Sequence, residues 1–279
     1  MHLSRLDNEV IFKKAFTDKL VFTQFVKDVI GIDLKVGKIE TEKRFQPKIA
    51  YIDFAYYIFA ESIDSRVIVE IQRANYDYHF DRFLHYHNMA IAELQRSAND
   101  YKIKPTVYTI VVLTASDIVE DKNGKTVEED VLISDINPHN RKGEVINFYG
   151  HQLIFINPNF KKEDTPPALK DWFDLILESI SNPEKPKINL KNKGIKRAVK
   201  LIEDDNLTPE ERRAAKIAVA TEETRKIVER KAKASGRIEA NLETAKKMLA
   251  EDFDVEMISK LTGLDAETIN QLKLEEGIL

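Results

Sequence analysis

The 279-residue chain contains no cysteine. Disulfide frameworks, thiolate zinc sites and cysteine nucleophiles are therefore excluded. Glycine is scarce, nine in all, and forms no Gly-rich phosphate loop, so nucleotide-binding folds find no support. No Gly-x-Ser-x-Gly element is present. No apolar run reaches the about 18 residues of a membrane helix, and the opening MHLSRLDNEVIFKKAF lacks the apolar core of a signal peptide. A cytoplasmic protein that does not enter a membrane is the expectation. Positive charge is not in excess either. The net charge of -4 argues against a surface coated in nucleic acid, although a local basic groove is compatible with it. What is present suffices for a substantial core: 43% hydrophobic residues, with fourteen Phe and nine Tyr. The length suits one large domain, or a domain with an appendage.

Residues 51–72, YIDFAYYIFAESIDSRVIVEIQ, organise the reading. Two runs rich in β-branched and aromatic residues flank a polar break at 61–65, the pattern of a β-hairpin. Strand side chains alternate, so Glu70 and Gln72 share a face. One allowed register adds Asp53 to that face. Converging buried carboxylates need compensation, and a divalent cation supplies it economically. The alternative is that these acids stand at strand ends in solvent.

An Asp, a strand and then Glu-x-Gln resembles the core of the PD-(D/E)XK nucleases, with Gln72 where that core usually has Lys. The segment NEVIFKKAF resembles the opening Asp-x-x-Phe-Lys helix of the recombination-promoting nuclease/putative transposase branch, with Glu9 in the acidic place. RFLHYHNMA, in an expected helix over 79–96, resembles that branch's Arg-x-x-x-Tyr helix. The likeness spans roughly residues 5–180 and is looser beyond. It implies an α/β fold: a restriction-endonuclease-like mixed β-sheet core flanked by helices, here with a C-terminal all-α extension. It implies a metal-dependent DNA endonuclease using Mg2+ or Mn2+. Asp53, Glu70 and the backbone carbonyl of Ile71 would hold the metal, and Gln72 would orient the water. Glu9, Tyr57, Arg82 and Tyr86 would be accessory. Bland readings stand beside these: an acid favoured by a helix dipole for Glu9, and an ion-paired Arg with a core Tyr for Arg82 and Tyr86. On the resemblance alone, Gln72→Lys restores the usual residue and should retain or raise activity.

Elsewhere, residues 7–30 read as helix with a break near Thr17 and Asp18, and Gly31 as a stop. Strands are expected over 34–44, 48–60 and 66–72. TVYTIVVLT at 106–114 reads as a strand buried on both faces. Further strands are expected at 131–135 and 152–156, then a helix at 167–180 with Trp172.

Composition changes near Ser181. Domains are expected at 1–180, a basic linker and helix at 181–207, and a helical region at 208–279. Residues 185–200 carry seven Lys and Arg and no acid, which makes Lys191, Lys193, Lys196 and Arg197 candidate DNA-backbone contacts. Thr208, Pro209, Glu210 and Glu211 announce a long helix. VEMISKLTGLDAETINQLK looks like a helix-turn-helix, but its acids make a poor phosphate surface, so a packed helical hairpin is the favoured reading. Self-association through these C-terminal helices stays open. So do two alternatives to the nuclease: a nucleic-acid-binding module without catalysis, and a helical assembly protein reusing the fold.

Overall fold

Residues 2–44, 55–72, 79–94, 103–114 and 120–275 are described by the structure, a computed structural model. Polar caps divide the N-terminal apolar stretch into two helices. Asn8 caps α1 (Glu9–Phe16), accepting from the Val10 and Ile11 N–H groups at 3.0 and 3.5 Å. Asp18 caps α2 (Lys19–Ile30) in the same way, so the expected break is one helix end followed at once by another start. α2 stops at Gly31, whose φ of 75° disfavours any residue with a Cβ.

Six strands follow: β1 (Ile39–Arg44), β2 (Ala55–Glu61), β3 (Ser65–Gln72), β4 (Thr106–Leu113), β5 (Val131–Asp135) and β6 (Gln152–Ile156). They form one mixed sheet in the order β1-β2-β3-β4-β6-β5. β2 and β3 are the anticipated antiparallel hairpin. β3, β4 and β6 run parallel, with β5 antiparallel at the edge. The strand expected from 34 begins only at Ile39, although Leu34 and Val36 are buried without strand pairing. α3 (His79–Ala92) joins β3 to β4 and ends four residues short of the expected 96.

β4 is buried on both faces, as its unbroken β-branched run implies. Ile110 and Val112 join the larger core with α1, α2, α4 (Pro167–Ser181) and α5 (Lys193–Ile202). Val107, Val111 and Leu113 lie on the α3 side. Aromatic rings fill the larger core. Phe12 and Phe16 stack with centroids 4.1 Å apart, and Phe25 meets Trp172 edge-on at 5.2 Å. Each such buried side chain contributes about 1.5–3 kcal/mol.

The chain divides into two compact units at Lys216/Ile217 rather than at residue 180. Residues 181–207 belong to the first unit because Ile195, Ala198, Val199 and Ile202 sit in its main core. α5 begins so close to α2 that a Cβ at Gly194 would lie 2.6 Å from Gln24 Cβ. The long helix α6 (Pro209–Ala250) starts in a capping box, with Glu211 N donating to Thr208 Oγ1 and Thr208 N to Glu211 Oε2. In the second unit, α7 (Val255–Thr262) and α8 (Ala266–Glu275) close on the end of α6 through Ala245, Leu249, Ile258, Ile269 and Leu272. Among the described residues, no helix is long and apolar enough to cross a membrane.

Asp28 ties α2, α4 and α5 together. It accepts from Trp172 Nε1 and Asn192 Nδ2 at 2.8 Å each, and from Gln24 Nε2 at 2.9 Å. Asp28→Ala leaves the buried indole N–H unsatisfied and is expected to cost about 2–3 kcal/mol. Urea unfolding followed by the fluorescence of Trp172, the single tryptophan, measures this. A loss under about 0.5 kcal/mol would place the joint elsewhere.

Candidate active site

β3 runs from a solvent-facing turn into the core, and its last residues bring polar groups with it. Ile68, Glu70 and Gln72 alternate with Val67, Val69 and Ile71. The latter set packs into the larger core, which leaves Glu70 and Gln72 on the α3 side. Both are buried, at 5% and 4% exposure, so neither is an acid or amide left in solvent at a strand end.

The β2–β3 pairing is registered as far as Ile58 opposite Val69. One residue further, Tyr57 N–H donates to the Glu70 carboxylate at 2.8 Å instead of to a strand carbonyl. The Tyr57 ring packs toward α1, 6.1 Å from Phe12 and 4.4 Å beneath Lys13 Nζ. Lys13 in turn bridges Glu9 at 2.6 Å and Glu42 at 2.7 Å. On the other side, Arg82 of α3 donates from Nη2 to Gln72 Oε1 at 2.5 Å. Arg82 also lies over the Tyr86 ring, with Cζ 5.8 Å from its centroid, so this pair shares a helix face as its spacing of four requires.

Burial pushes the Glu70 carboxyl up to about 7. The Tyr57 N–H bond and the Arg82 and Lys13 cations restrain this rise, while Glu9 adds to it. Burial also raises the Tyr57 phenol, and Glu9, Glu70 and Glu42 raise it further, so it stays neutral in water at working pH. Its hydroxyl is buried near the Glu9 carboxylate. Burial opposes the charge on Lys13, but Glu42 and Glu9 outweigh it and keep the ammonium protonated.

The structure therefore brings Glu70, Gln72, Arg82, Tyr86, Tyr57 and Glu9 into one neighbourhood. Asp53 lies outside the described residues. Ile71 occupies its place in β3 between the two polar residues, with its side chain on the opposite face. Lys191, Lys193 and Lys196 are exposed on and just before α5, while Arg197 is ion-paired through Nε to Asp18 at 2.8 Å. Sequence reasoning missed Lys13 and Glu42. Lys13 had a signal, since it stands four residues after Glu9 inside NEVIFKKAF; Glu42 had none, being placed by a left-handed backbone at φ 53°. The histidines of α3 diverge: His87 is buried and bonded through Nδ1 to Thr109 at 2.9 Å.

As a cation site, the described part offers hard oxygen donors. Glu70 Oε1 takes one N–H, while Oε2 accepts no hydrogen bond among the described residues, and Glu9 is close enough to disfavour its charge. Among the described residues, no three acids or histidines converge. This donor set fits Mg2+ or Mn2+ better than a nitrogen- or sulfur-seeking metal.

A mixed sheet covered on both faces, with a buried Glu-x-Gln ending an interior strand, is a nuclease-type α/β architecture. Residues 9–232 match the PD-(D/E)XK nuclease family transposases, and the chain belongs to that family. The match runs past residue 180 into α6. No curated protein and no solved structure gives a significant match.

An acid whose folded value lies above its unfolded one holds extra protons when folded. Glu70 therefore costs stability progressively as pH rises from about 4.5 to about 7, and fully above that. Glu70→Gln keeps an acceptor for Tyr57 N–H and removes this cost. In EDTA the variant is expected to equal the parent near pH 4 and to exceed it by about 2–3 kcal/mol at pH 8. Urea titrations at both pH values test this. A pH-independent difference would show that Glu70 titrates as an ordinary surface acid.

Proposed function

We propose that the chain is a divalent-metal-dependent endodeoxyribonuclease. The observation that carries this reading is the pairing of buried Glu70 with Gln72, whose amide is fixed by Arg82. Asp53, Glu70 and the Ile71 carbonyl would hold Mg2+ or Mn2+, with Glu9 beside them. When bound, the ion supplies charge relief at the scissile phosphate.

The chain's own groups do the rest. Arginine can only donate, so the Gln72 atom facing Arg82 must be the amide oxygen. The amide nitrogen then carries the N–H donors, the groups that would orient a water or a phosphate oxygen. It positions and does not accept a proton. Arg82 brings a positive charge to the place where negative charge grows on the phosphate, the role the superfamily's usual Lys would share. Tyr86 braces the guanidinium from the side.

This geometry changes the expectation for Gln72→Lys. A lysine there sets a second cation against Arg82, so the single variant is expected to cleave more slowly than the parent. Gln72→Lys combined with Arg82→Gln is expected to recover activity. In a supercoiled-plasmid assay with Mg2+ or Mn2+, Asp53→Ala and Glu70→Ala should be inert, and Gln72→Ala slower by about 10–100-fold. Manganese calorimetry should show binding lost in Asp53→Ala and kept in Gln72→Ala. A parent protein inert with every metal tried would hand the site to a binding module without catalysis.

The exposed cations before and along α5 would hold the DNA backbone. Arg197 is committed to Asp18 and is best left intact. Neutralising Lys191, Lys193 and Lys196 should flatten the log–log salt dependence of DNA binding by about 0.9 per lost phosphate contact. An unchanged slope would make this helix face a merely solvated one.

A further inference from the structure

Residues 136–151, between β5 and β6, leave the sheet as an arm. From 133 to 149 every residue is exposed except Asn137, at 6%. The register places the arm at the end of the sheet opposite Glu70 and Gln72. Asp135 pairs with Gln152, Gln152's neighbour strand is entered at Tyr108, and Ser65 begins β3 beside Thr106.

The arm is built around one buried amide. Asn137 Oδ1 accepts from three successive N–H groups: Phe148 at 2.8 Å, Tyr149 at 2.7 Å and Gly150 at 3.4 Å. Its Nδ2 donates to Asn147 Oδ1 at 3.2 Å. Gly150, at φ 75°, then turns the chain into β6. The backbone so fixed carries two rings in solvent, Phe148 at 71% and Tyr149 at 58% exposure, 6.2 Å apart. Core packing does not explain them. At the tip, Asn140 Oδ1 accepts from Lys142 N and Glu144 N, which presents Arg141 and Lys142 outward. The arm's one acid, Glu144, accepts from Asn140 Nδ2, and Asp135 at the end of β5 accepts from Asn137 N. Among the described residues, neither Arg141 nor Lys142 has an ion-pair partner.

We infer that this arm binds single-stranded nucleic acid, with Phe148 and Tyr149 at its base stacking on bases and Arg141 and Lys142 at its tip meeting phosphates further along the strand. Preset backbone lowers the ordering cost of binding. Exposed aromatics that stack on bases, combined with cations that meet the backbone, are the means by which proteins hold single strands without reading sequence. A duplex would not serve, because its bases already stack on one another. The class of ligand rests on the reading of the chain as a DNA-acting nuclease, whereas the site is separate from Glu70.

The test is fluorescence anisotropy with labelled oligothymidylate and a duplex of equal length, using full-length Glu70→Gln protein in EDTA. The single strand should bind about fivefold more tightly, and Phe148→Ala/Tyr149→Ala should weaken it about tenfold or more. Phe148→Trp/Tyr149→Trp should keep binding, which separates stacking from simple damage to the arm. Arg141→Gln/Lys142→Gln should lower the salt slope by about 1.4, or 0.7 per phosphate. Parent-like binding by the double alanine variant overturns the inference. So does a loss of self-association in that variant on sedimentation, which assigns the rings to a second copy. If the parent fails to cleave plasmid yet binds as stated, only the nuclease reading falls; if cleavage holds while the alanine variant binds normally, only the arm's role falls.

Discussion

Holding the Glu70 carboxylate in the interior is the constraint on which the arrangement of the first unit turns. At 5% exposure, with its proton affinity pushed up to about 7, it is neither a solvated acid nor a fully compensated ion. An interior carboxylate with too few partners stays neutral or recruits charge. The protein supplies partial relief: one backbone N–H from Tyr57, and two cations that act without a direct hydrogen bond. Arg82 acts on Glu70 only through its charge, because its hydrogen bond goes to Gln72.

The core and the site are built from the same helix. α1 buries Ile11, Phe12, Ala15 and Phe16 and turns Glu9 and Lys13 toward the sheet end, so the ring stack fixes the acid and the ammonium. Its ends are tied to later chain. Asn8 Nδ2 donates to Ala215 O at 2.9 Å, and Lys14 pairs with Glu211 in the first turn of α6. The first unit therefore extends to residue 216, because the start of α6 braces the helix that carries Glu9.

Much of this was legible because it rests on local physics. The alternation of residues 66–72 places Glu70 and Gln72 on one face, the β-branched run at 106–114 gives a strand buried twice over, and Thr208 with Glu211 announces α6. What was not legible depended on partners distant in sequence. Lys13 meets Glu42 across 29 positions of sequence, and Arg82 reaches Gln72 only once α3 has docked on the sheet. The departure for residues 181–207 has the same origin. Two prolines and seven cations read as a basic linker and helix apart from the nuclease domain, but every third or fourth residue from Ile195 to Ile202 is apolar and is buried in the main core.

The two helical appendages differ in what their apolar residues do, and that difference bears on their roles. In α5 the apolar positions are consumed by the main core, which leaves Lys193, Lys196 and Lys200 as an outward row on a rigid support. In the second unit, Ile258, Ile269 and Leu272 are consumed by the end of α6 itself, and α7 turns into α8 at Gly263 with φ 72°. A helix that reads DNA must present side chains to a groove and cations to phosphates. α8 instead opens with Glu267 and ends with Glu275, and its neighbour Asp265 accepts from Thr268 N as a cap. The pair thus has the character of a helical hairpin that stabilises the tip of a long helix, while the exposed cationic row lies on α5, within the same unit as Glu70.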